Sequence, residues 1–119
     1  MKPQDKAKRL RIYISSTDKY HHSPLYEVLI YEARNQGIIG ATVLKGIMGY
    51  GASSEILTNK LWEISEKLPL IVEIIDESSK IDSFIEAMDH YFEEAGKGHL
   101  VTLDETTVVV HKSGVRKKE

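Results

Sequence analysis

The chain has 119 residues, no cysteine and a net charge of −2, with 41% hydrophobic and 29% charged residues. That composition suits one folded domain with a real core, excludes disulfide and thiolate chemistry, and argues against broad nucleic-acid binding. No apolar run reaches the roughly 18 residues of a membrane span, and the basic start lacks the apolar stretch of a signal peptide, so a cytoplasmic protein is expected.

Charge is unevenly placed. Lys2, Lys6, Lys8, Arg9 and Arg11 make the start basic, Lys112, Arg116, Lys117 and Lys118 make the end basic, and residues 73–94 are acidic. Residues 1–8 and 115–119 read as solvated tails of a single domain. From Arg9 to Ser15, Leu10, Ile12 and Ile14 alternate with Arg11 and Tyr13, the period of a half-buried strand. Ser23-Pro24 reads as a helix start with serine as N-cap, and Leu25, Val28, Leu29 and Ala33 share one helical face. Gly37 suits the left-handed position that ends that helix.

Residues 38–47 read as a second strand, followed by a glycine loop. Ser53 or Ser54 would cap a helix with Leu57, Leu61, Ile64 and Leu68 on one face; a mobile loop or an extended arm returning to the sheet are the other readings of this segment. Leu70 to Ile75 is a third strand, and Ser79 with Asp82 resembles a capping box. Ile81, Phe84, Ile85, Met88 and Phe92 mark a second amphipathic helix. After a second glycine turn at residues 95–98, Leu100 to Leu103 and Thr107 to His111 are strand-like, with Asp104-Glu105 between them. The order β-α-β, insertion, β-α-β predicts an α+β, ferredoxin-like βαββαβ sandwich. Two helices would cover one face of the sheet, and Ile12, Ile14, Val43, Val72, Ile74 and Val101 look too apolar for both faces to be wet, so self-association through the sheet is expected.

The chemistry sits in the glycine turns. The second strand runs into Lys45-Gly46, with Gly49 and Gly51 close behind, and Lys97-Gly98 precedes the last strand. Glycines let backbone N–H groups approach an anion and a lysine offsets its charge, so both turns are candidate phosphate loops, although neither a Walker loop nor a dinucleotide fingerprint is present. A plain turn is the competing reading of each. Glu73 interrupts an apolar strand, where it is either a polar alternate position or a carboxylate awaiting a donor. His21-His22 lack a third ligand, and His90, His99 and His111 are scattered, so no metal site is expected. Ser53, Ser54 and the histidines form no known nucleophile motif, so the chain is not expected to be an enzyme. Tyr50 and Trp62 are candidate partner anchors, or pack on the chain itself.

The segments SPLYEVLIYEARNQGIIGATVLKGIMGYGASS (23–54), LPLIVEIIDESSKI (68–81) and GHLVTLDE (98–105) together resemble the PII-like signalling proteins, in particular the branch called domain of unknown function one-ninety. The resemblance implies a homotrimer whose sheets pack into an inner barrel, adenine nucleotide (AMP, ADP or ATP) bound between subunits, and residues 49–68 as the equivalent of the T-loop that docks on a target. A membrane transporter or channel, such as a small fluoride-exporting channel, is the implied partner. By position, the resemblance assigns nucleotide contacts to Gly40, Thr42, Lys45, Gly46, Glu73, Ile75, Lys97, Gly98 and Lys112, and the glycine turns themselves add Gly49, Gly51 and His99 as candidates. His99 stands where PII proteins have a lysine, Val110 falls where they have an arginine, and the loop lacks their magnesium-placing glutamine. These departures count against ATP, magnesium and 2-oxoglutarate. A small enzyme acting on a phosphorylated metabolite, or a metal-binding trimer, are the alternative functions.

Overall fold

The computed structural model describes residues 6–52, 55–58, 67–95 and 98–114. They form β1 (Lys6–Ser15), α1 (Leu25–Asn35), β2 (Gly40–Lys45), β3 (Pro69–Glu77), α2 (Ser78–Ala95) and β4 (Leu100–Thr107). The sheet order is β2-β3-β1-β4 with every neighbouring pair antiparallel, the ferredoxin-like arrangement expected from the element order. Two short ladders stand outside it, Lys19–Tyr20 with Ser23–Pro24 and Met48–Gly49 with Leu57–Thr58.

Alternation on the two central strands builds the core. Leu10, Ile12 and Ile14 of β1 and Leu70, Val72 and Ile74 of β3 are buried under the helices. The helices answer with Leu25, Leu29 and Ala33 from α1 and Ile81, Phe84, Met88 and Phe92 from α2. Each large apolar side chain buried this way contributes about 1.5–3 kcal/mol. Helix α1 ends in a Schellman motif: Gly37, at φ +73, donates its N–H to Arg34 O (3.0 Å), and the Ile38 N–H bonds Ala33 O (3.1 Å).

Several boundaries differ from the expectation. Ser23 is not the N-cap of α1: its backbone pairs with Tyr20, Pro24 takes the cap position without a side-chain cap bond, and the Leu25 N–H donates to Asp18 O (2.8 Å). Ser79 does not form a capping box, because it lies inside α2 and its hydroxyl donates to Glu77 (3.2 Å), while Asp82 pairs with Lys8 (2.9 Å). Strand β1 starts at Lys6 because β3 and β4 pair with it on both sides. Asp104-Glu105 does not break β4: Asp104 stands opposite Arg9 and accepts from its guanidinium, while residues 108–114 hold no regular structure.

The argument for an apolar second sheet face also fails. Ile12, Ile14, Val72 and Ile74 are buried beneath the helices, and Val43 and Val101 pack against that same core, so all six belong to the covered face. The insertion is not helical where it is described: Leu57 is buried in the ladder with Gly49, and Leu68 is held by Ser16. Ser53, Ser54, Leu61, Trp62 and Ile64 lie outside the described residues. Among those described, no helix is long and apolar enough to cross a membrane.

Candidate functional site

At one end of the sheet, β1 and β2 finish while β3 and β4 begin, and the connecting loops gather around a cleft of about 370 Å³. Backbone bonds fix its walls. The Ser16 N–H donates to Leu68 O (2.8 Å) and the Leu68 N–H donates to Ser16 Oγ (2.9 Å), tying the loop after β1 to the strand entering the sheet. The Gly46 N–H donates to Pro69 O (2.8 Å), so the glycine loop leaves β2 in contact with β3. A Cβ on Gly46 would stand 2.9 Å from Pro69 Cγ and 3.3 Å from Pro69 O, which is why glycine is needed there. Gly49 and Gly51 differ. Neither has a positive φ, and among the described residues an added Cβ would meet nothing closer than 3.7 Å at Gly49 and nothing within 4 Å at Gly51.

The cleft brings together Gly46, Gly49 and Gly51 of the first glycine turn with Gly98 of the second. Tyr13, Ser15, Thr17, Asp18, Tyr50 and Lys67 also line it, and sequence reasoning had not assigned any of them to a ligand site. Asp18 is buried and its carboxylate accepts the Ser15 N–H (3.0 Å), so it braces the turn after β1. The polar run Ser15-Ser16-Thr17-Asp18 directly after a strand was the available signal for this wall.

A second group lies on the uncovered sheet face. Thr42 stands opposite Glu73 and Gly40 opposite Ile75 in the β2–β3 register. Glu73 already has a donor from within the chain, Arg11 Nε at 3.0 Å from Oε2, so the carboxylate is not waiting for one. On the same face Arg9 and Asp104 form a two-point pair with Nε 3.2 Å from Oδ1. Their hydrogen bond raises the Arg9 pKa and lowers that of Asp104, keeping both charged.

The remaining candidates are separate. Lys45 is exposed at the end of β2, opposite Leu70, and does not line the cleft. His99 stacks on Phe92 with ring centroids 4.2 Å apart. Lys112 is exposed beyond β4, and Lys97 lies outside the described residues. No cluster of metal-ligating side chains occurs among the described residues.

Residues 7–108 match the family DUF190, described as "Uncharacterized ACR". The chain belongs to the DUF190 family. A curated relative, a UPF0166 protein of Aquifex aeolicus, is 40% identical over 105 residues, covering 87% of this chain and 94% of the relative. Two solved structures share the fold of this DUF190 chain. One is CPII, a nitrogen regulatory PII-like protein from Thiomonas intermedia bound to ADP, AMP and bicarbonate, with TM-score 0.66, 16% identity and coverage of 89% of this chain and 91% of CPII. The other is a putative PII-like signaling protein from Thermus thermophilus, with TM-score 0.63, 15% identity and coverage of 91% and 94%. The ferredoxin-like fold is thus that of the PII-like proteins, as the sequence resemblance implied.

Proposed function

We propose that this chain is a PII-like regulatory module that binds an adenine nucleotide at the cleft and signals to a partner through residues 49–68. The observation that carries the reading is the convergence of Gly46, Gly49, Gly51 and Gly98 on one cleft at the end of the sheet. Gly46 is demanded by its contact with Pro69, whereas no described residue demands glycine at 49 or 51. Bare backbone facing a cleft is what close approach of a phosphate requires. The presence of ADP and AMP in CPII, which shares the fold, supports an adenine nucleotide as the ligand.

In this reading a homotrimer forms through the uncovered sheet face and the cleft is completed between subunits, where Lys45, His99 and Lys112 of a neighbour would reach the ligand. The nucleotide is a signal, not a substrate. It shifts the loop only in so far as it binds one loop arrangement better than another. The target is a transporter or channel in the membrane, with the module acting from the cytoplasm.

Calorimetric titration with AMP, ADP and ATP, each with and without magnesium, tests the proposal. Saturable micromolar binding near one ligand per chain is expected, with no phosphate release above buffer. No binding to any of them would overturn it.

A further inference from the structure

Among the described residues that line the cleft, the charged side chains are Asp18, Glu55 and Lys67. Asp18 is buried and engaged with the Ser15 backbone. Lys67 Nζ stands 3.4 Å from Glu55 Oε1, and the two side chains are 47% and 59% exposed. Charge-assisted N–H···O bonds settle nearer 2.7–2.9 Å, so this is a loose and exchangeable pair.

The pair is also dispensable for placing Lys67. Its backbone bridges Thr58, and the next residue, Leu68, is buried and bonded to Ser16 through both its N–H and its carbonyl. The ammonium is therefore brought to the cleft by main-chain bonds, and the Glu55 carboxylate lies against it as one anion among those it could hold. A phosphate group offers more charge and more acceptor oxygens than a carboxylate.

We infer that Lys67 is the cation that receives the phosphate of a nucleotide in this cleft, and that Glu55 is a built-in competitor for it. This rests on the proposed function in that it takes the cleft to bind a phosphorylated ligand. Within one subunit it gives to Lys67 the role that the resemblance gave to Lys45, which does not line the cleft of its own chain. The consequence is an affinity held down by the protein's own carboxylate: a bound phosphate displaces Glu55 and then repels it.

The test is titration of the full chain and of its E55Q and K67Q variants with ADP and, separately, with adenosine. Both positions are exposed, and thermal melts check that the variants are folded. E55Q is expected to bind ADP about two- to fivefold tighter, the range that an exposed ion pair commands. K67Q is expected to bind ADP about three- to tenfold more weakly. Adenosine affinity should be the same for all three proteins. ADP affinity that is equal across the three would overturn the role of Lys67 and leave the nucleotide cleft standing. Adenosine affinities that shift in parallel with ADP would also overturn it, because the substitutions would then be acting on the walls. Absence of ADP binding by all three, E55Q included, would overturn the inference and the nucleotide reading together.

Discussion

On the helix-covered face of the sheet, Leu10, Ile12, Val72 and Ile74 are fully buried; on the opposite face Arg11 meets Glu73 and Arg9 meets Asp104. The covered face is finished by volume. The uncovered face carries charge pairs in cross-strand register and, beside them, the apolar row Leu44, Ile71, Tyr13 and Leu100, through which it runs at one end into the cleft. Period-two alternation reveals that a strand has two faces, but it does not say what covers each of them. The same four strands therefore have a side where shape is binding and a side where polar groups remain available for a ligand or another copy.

The sharpest way to break that contrast is to remove volume from the covered side. Phe84 of α2 is fully buried at the centre of the core cluster. Phe84→Ala should cost about 3–5 kcal/mol, the lost transfer energy plus the cavity left behind. Urea unfolding followed by circular dichroism measures it, and a loss below about 1 kcal/mol would mean that the layer collapses around the gap.

A smaller effect is expected where the sheet opens into the cleft. Gly46→Ala would push a Cβ against the Pro69 ring and carbonyl, at 2.9 Å and 3.3 Å, and the ring cannot rotate away. The strain should cost about 1–3 kcal/mol and loosen the exit of the loop from β2. Gly51→Ala, with no described residue within 4 Å of its added Cβ, should leave stability unchanged. Equal melting curves for the two variants would show that Pro69 yields and that Gly46 is not a packing requirement.

The contrast between the faces also marks what could be seen in the sequence. Both helical faces were legible: of the residues that recur at helical spacing, Leu25, Leu29, Ala33, Ile81, Phe84, Met88 and Phe92 are buried, and Val28 and Ile85 are half-buried. Gly46, Gly49, Gly51 and Gly98 were legible as candidate loop residues by type alone. Asp104 was misread as a strand break because Arg9, which holds it, lies 95 positions away. Lys67 was passed over for a related reason: its place in the cleft depends on Leu68 pairing with Ser16, a contact 52 positions apart. Local pattern reports periodicity and turns, while a site assembled from strand ends depends on register between distant segments.

The smallest expected effect tests whether the covered side is governed by volume alone. Between the helices, the Tyr91 hydroxyl donates to Glu32 Oε1 at 2.6 Å, and Gln36 donates to the other oxygen at 3.1 Å. The bond to Glu32, and then burial, push the Tyr91 pKa up to about 12. Hydrogen bonds from Tyr91 and then Gln36 lower that of Glu32. Because the folded state holds the Tyr91 proton more tightly, its contribution is complete below the ordinary value of 10.0 and is lost as pH rises towards about 12. Glu32 acts on the other side: its contribution is complete above the ordinary value of 4.5 and fades as pH falls through the lowered folded value. Both groups are half-buried, and the net worth of the bond at neutral pH should be about 1 kcal/mol. Tyr91→Phe should therefore flatten the stability profile between pH 10 and 12 relative to the parent while changing neutral stability little. Urea midpoints across that range decide it. Parallel profiles for the two proteins would mean that the helices are joined by apolar packing, with the Tyr91–Glu32 bond contributing nothing.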